Sequence, residues 1–79
     1  MPWTVQPRYM LRQLVNSRSL QSVGYDPRPG ILEIEFTNGS VYQYLDVPET
    51  VYQELMAAPS HGTYFREQIR DRYPHRKAG

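Results

Sequence analysis

A chain of 79 residues with a formal net charge of +1 and no cysteine is the length of one domain with a modest core, and it has neither disulfides nor thiolate metal sites. No apolar run approaches the roughly 18 residues needed to span a bilayer, and the N-terminus lacks the apolar stretch of a signal peptide. A cytoplasmic protein with no membrane contact is expected. The charge is unevenly divided: residues 1–20 carry +3, residues 21–58 carry −5 and residues 59–79 carry +3. Basic ends around an acidic middle suggest an anionic partner touching the ends, although short tails often carry solvating charge.

Residues 1–16 form a basic N-terminal arm. The first seven, MPWTVQP, hold two prolines and no period, and Trp3 stands out in a segment without a core. Residues 8–15, RYMLRQLV, are compatible with two turns of helix carrying Arg8 and Arg12 at i, i+4. Residues 17–25 read as a strand, closed by the turn residues Asp26-Pro27-Arg28-Pro29-Gly30. With Asp26 opposite Ile31, Val23 faces Ile34 and Tyr25 faces Leu32. Leu20 then has the wrong parity, so either a bulge intervenes or the strand starts later.

Asn38-Gly39 between alternating runs is a hairpin signal, and a two-residue type I′ turn there pairs Phe36 with Val41 and Glu35 with Tyr42. In that register Leu32, Ile34, Phe36, Val41 and Leu45 share the apolar face with Gln43. Glu33, Glu35, Tyr42 and Tyr44 share the open one. Exposed tyrosines two residues apart can stack on bases. Tyrosine is equally ordinary sheet filler or a protein-contact residue.

Pro48 suits the first position of a helix running to about Ala57, with Val51, Leu55 and Ala58 on one stripe and Pro59 ending it. Ser60 can cap a second helix over about His61 to Arg70, with Phe65 and Ile69 facing inward and Arg66 and Arg70 sharing a side. Residues 75–79 read as a disordered tail. The expected architecture is α+β: a three-stranded antiparallel β-meander with two helices packed on one face.

No catalytic constellation emerges. The two histidines lack metal-ligand spacing, no serine sits in a nucleophile elbow, and Glu33 and Glu35 read as solvated. No enzyme, metal or cofactor is expected. Ser60-His61-Gly62-Thr63 places a glycine in the first turn of a helix, where free N–H groups can meet a phosphate and Arg66 can assist. Capping and close packing explain the same residues.

Val23-Gly24-Tyr25-Asp26, Leu32 to Phe36, and Asn38-Gly39-Ser40-Val41-Tyr42-Gln43-Tyr44 resemble the KTSC domain family. So do Val47-Pro48, Val51-Tyr52, Leu55, Ala58, Ser60, Gly62, Tyr64-Phe65, Ile69-Arg70 and Tyr73-Pro74, so the resemblance covers residues 17–74. It implies a small bacterial or phage domain, also found at the C-terminus of some lysyl-tRNA synthetases, of unestablished function and suspected of binding RNA. The family often has paired serines where this chain has Ser17-Arg18-Ser19, and asparagine where it has Arg66.

The expected function is a non-enzymatic RNA- or single-strand-binding module. Ser60, Gly62, Arg66, Arg70 and Arg72 would hold phosphates, and Tyr42 and Tyr44 would stack bases. About four to six phosphate contacts imply weak, salt-dependent binding. The alternative is a protein-interaction module that uses the tyrosine face.

Overall fold

The computed structural model describes residues 10–79, so Trp3 and the start of the basic arm lie outside the described residues. Among the described residues seven elements follow one another: β1 (Arg12–Leu14), β2 (Leu20–Asp26), β3 (Ile31–Phe36), β4 (Val41–Tyr44), α1 (Glu49–Ala57), α2 (His61–Gln68) and β5 (His75–Lys77). The sheet is antiparallel with strand order β1-β2-β3-β4-β5. It has five strands, where the sequence suggests three.

The two additional strands are the sheet's edges. Arg12–Leu14 pairs with β2, where helix was expected from spacing alone. His75–Lys77 pairs with β4, where a tail was expected. Both are three residues long and exposed throughout. Backbone pairing along an edge needs no apolar side chains, so composition gave no sign of either strand, and short charged edges resist pairing with other chains.

The register between β2 and β3 is the expected one, with Tyr25 opposite Leu32 and Val23 opposite Ile34. A bulge between Leu20 and Ser22 restores Leu20 to the core, where it is fully buried. α1 begins after Pro48, and Ser60 caps α2 by accepting the Thr63 N–H at 3.2 Å. Both helices cover the face that carries Val23, Leu32 and Ile34, and Leu55, Phe65 and Ile69 complete the core. Tyr25 stacks on Tyr52 of α1 at 5.0 Å, and its hydroxyl donates to the Val47 carbonyl. No helix among the described residues is long and apolar enough to cross a membrane.

The β3–β4 hairpin differs from expectation by one residue. The Gly39 N–H bonds to the Phe36 carbonyl at 2.9 Å, and the Phe36 N–H bonds to the Ser40 carbonyl at 2.8 Å. Gly39 has φ +94° while Asn38 does not have positive φ. This is a three-residue loop, a type I turn followed by a left-handed glycine, and not a type I′ turn. The extra loop residue pairs Leu32 with Tyr44 and Ile34 with Tyr42. A slip of one flips every side chain of β4, so the tyrosines join the helix face and Gln43 joins Glu33 and Glu35 on the open one.

Candidate functional site

Tyr44 is 4% exposed, with its ring edge-on to Phe65 at 5.4 Å. Burial raises its pKa, and Tyr42 adds to the rise while the nearby Arg70 opposes it. Tyr42 is half-buried between Phe36 and His75, with ring centroids 6.0 and 5.8 Å away. The open tyrosine pair expected from the sequence is therefore absent: Tyr44 is a core residue, and only Tyr42 keeps partial access. The same flip moves both rings to the side of the sheet that carries α2. His75 and Lys77 pair with Tyr44 and Tyr42 across β4–β5, so they share that face.

The open face carries a polar row instead. Arg12, Gly24, Glu33, Gln43 and Arg76 stand opposite one another across all five strands. Arg12 Nη1 donates to Glu33 Oε2, Gln43 Nε2 donates to Glu33 Oε1, and Arg76 Nε donates to Gln43 Oε1, each at 2.8 Å. Ser22 Oγ donates to Glu35 Oε1 at 2.8 Å. Both Glu33 oxygens are satisfied, which suits a side chain only 11% exposed.

A cleft of about 300 Å³ opens between the loop leading into β2 and the start of α2. Ser17 Oγ turns the loop by accepting the N–H groups of Ser19 at 3.2 Å and Leu20 at 3.3 Å. Thr37 ties that loop to the β3–β4 turn by donating to Arg18 O and Ser19 O. Gly62 forms the opposite wall, and a Cβ there would lie 3.4 Å from Ser19 Oγ and 3.3 Å from Arg66 Nη1. Arg66 Nη2 donates to Thr63 Oγ1 at 3.3 Å, which holds the guanidinium along the first turn. His61 Nδ1 lies 2.8 Å from the Leu55 carbonyl oxygen, which can only accept, so Nδ1 is the donor of this contact.

Of the residues singled out from the sequence, the cleft gathers Ser60, Gly62 and Arg66. It adds Ser17, Arg18, Ser19 and His61. Sequence reasoning missed the first three because they belong to a loop about 40 residues upstream. The only available signal was the density of serines around Arg18. Arg70 and Arg72 lie beyond the other end of α2, where Arg70 sits 3.7 Å from Asp71 and Arg72 Nε donates to the Glu67 carbonyl. Arg72 is thus in part a helix-end residue.

Comparison with known proteins bears on the family and the fold. A family model described as the KTSC domain matches residues 16–73. A small protein of Stutzerimonas stutzeri is 42% identical over 64 residues, covering 81% of this chain and 90% of its own. A crystal structure of a KTSC domain protein from Yersinia pestis superposes with a TM-score of 0.84 at 44% identity, over 90% of this chain and 100% of that one. A lysine–tRNA ligase of a Nostoc species is 41% identical over 54 residues, which is 68% of this chain and 10% of the ligase.

Proposed function

The chain belongs to the KTSC domain family, and from the cleft at the start of α2 we propose that it is a small, non-enzymatic nucleic-acid-binding module whose ligand is single-stranded RNA. The observation that carries this reading is the pairing of two cations from separate elements, Arg18 and Arg66, around a cleft lined by Ser17, Ser19 and Ser60. Guanidinium groups and hydroxyls are the usual partners of phosphate oxygens. The similar segment within lysine–tRNA ligases adds support, since those proteins are named for tRNA.

The strand would run from the cleft along α2, about 12 Å of helix, past Arg66 to Arg70. There Tyr42 and His75 offer a partly open aromatic surface with Lys77 beside it. Tyr44 contributes packing and not stacking. The protein-interaction reading loses the surface it was built on, because the tyrosines do not face the open side of the sheet.

An amide-shift titration with short mixed-sequence single-stranded RNA tests the proposal. Shifts at Ser17–Ser19 and Ser60–Arg66 that weaken with added salt are expected. Arg18→Glu and Arg66→Glu should each weaken binding to all sequences and reduce the salt slope by about 0.7 for each phosphate left without its cation. Absence of shifts at low salt would remove the nucleic-acid reading.

A further inference from the structure

Arg18 and Arg66 line the cleft together with Ser17, Ser19 and Ser60, and among the described residues no aspartate or glutamate lines it. We propose that this cleft holds the terminal phosphate of an RNA strand, a phosphomonoester, and not a phosphodiester from the strand's interior. The inference rests on the RNA reading and deepens it by naming the part of the strand that the cleft takes.

The charges favour a chain end. Arg12 is offset by Glu33 at 2.8 Å and Arg70 stands 3.7 Å from Asp71, whereas neither Arg18 nor Arg66 is paired to a carboxylate among the described residues. An interior phosphodiester brings a single negative charge. A phosphomonoester brings about −1.5 to −2 near neutral pH, with three strong acceptor oxygens. Two uncompensated guanidinium groups match the monoester, and a diester would leave roughly one positive charge over.

The donors match as well. Arg66 uses Nη2 on Thr63 Oγ1, while its Nη1 lies beside Gly62. The Arg18 backbone carbonyl accepts from Thr37, which fixes the loop, and the Arg18 guanidinium donates to nothing among the described residues. Ser17 Oγ accepts two N–H groups and keeps its own O–H proton to donate. Three phosphate oxygens can therefore each meet a charged or hydroxyl donor.

The shape points the same way. Gly62 is buried, and a Cβ on it would lie 3.4 Å from Ser19 Oγ and 3.6 Å from Ser19 Cβ. Loop and helix thus meet at Ser19 and Gly62, and the space closes there. A chain end fits such a space, whereas an interior phosphate needs room for the strand on both sides.

The test compares one short RNA in three forms, carrying a 5′-phosphate, a 3′-phosphate or hydroxyls at both ends, by calorimetric titration of the full chain at one salt concentration. Phosphate on the end that enters the cleft should raise affinity about tenfold or more over the hydroxyl form, the worth of one charge-assisted hydrogen bond. The form that gains sets the direction in which the strand leaves the cleft. Arg18 is exposed, so Arg18→Gln should keep the core amide shifts unchanged and remove most of the gain. Arg70→Gln should weaken all three forms and leave the gain intact. Equal affinity for the three forms would overturn the inference and leave the RNA reading standing. So would a gain that survives Arg18→Gln and Arg66→Gln together, because the phosphate would then be held elsewhere. Binding by none of the forms would remove both.

Discussion

Arg12 crosses over Gly24 to reach Glu33: the three residues are in line on β1, β2 and β3, and the ion pair closes at 2.8 Å. The crossing depends on the missing side chain. A Cβ on Gly24 would lie 2.6 Å from the Leu11 carbonyl oxygen and 3.0 Å from Arg12 Cγ. Gly24→Ala should therefore displace β1 and cost about 1–3 kcal/mol, the usual range for overpacking. Urea denaturation measures the loss, and faster amide exchange confined to Arg12–Leu14 locates it.

Tyr44→Ala removes a ring that fills the space between β4 and α2, so a loss of about 3–5 kcal/mol is expected. Tyr42→Ala opens a half-exposed position and should cost only about 1 kcal/mol. In the register read from the sequence the two substitutions would have matched. Thermal unfolding of the pair distinguishes the registers directly.

Tyr64 couples the helices by donating to Glu54 Oε1 at 2.7 Å. Burial, then the bond to Glu54, push its pKa up to about 12 from the ordinary tyrosine value of 10.0. The folded chain therefore holds this proton more tightly than the unfolded chain. The resulting stability is complete below pH 10 and is lost as pH rises towards about 12. Tyr25 and Tyr44 are raised as well and act in the same direction. Tyr64→Phe should lower stability at neutral pH by no more than about 1 kcal/mol and flatten the alkaline loss. Denaturant midpoints from pH 8 to 12 provide the check.

Gly62→Ala separates binding from folding. The added methyl meets the far end of Arg66 at 3.3 Å and the Ser19 side chain, Oγ at 3.4 Å and Cβ at 3.6 Å, and alanine favours helix over glycine by up to about 1 kcal/mol. Stability should hold or rise slightly while RNA affinity falls, because the methyl occupies the cleft wall. Equal affinity for the two proteins, read by the same titration, would take Gly62 out of the interface.

The β2–β3 pairing, a helix at Pro48 and the Ser60 cap were legible because each rests on local chemistry or on alternation, although Pro48 is the extended N-cap and not the first helical residue. The parity of Leu20 left open a bulge or a later strand start, and the bulge is what forms. The hairpin register was not. Asn38-Gly39 suits a two-residue loop and equally a three-residue loop ending in a left-handed glycine, and the choice decides which way four side chains point. One signal was available. The shorter loop buries Gln43 among apolar residues, whereas the longer one lets it bond to Glu33 and Arg76 on the open face. The cleft was half legible, since Ser60, Gly62 and Arg66 are close in sequence. Arg18 and Ser19 reach it only through the fold, held by Leu20 in the core and by Thr37 across the hairpin.

The last strand has a consequence for the order of assembly. β1 to β4 meet through short connections, but β4 and β5 are separated by both helices, so β5 can find its place only after some 30 residues have folded back on the sheet. Closing that long loop is the costliest ordering step in this topology. The three pairs between Tyr42–Tyr44 and His75–Lys77 thus act as a latch. Amide protection along His75–Lys77 marks molecules whose helical layer is already in place, and release of those three residues bares the edge of β4 beside the buried Tyr44.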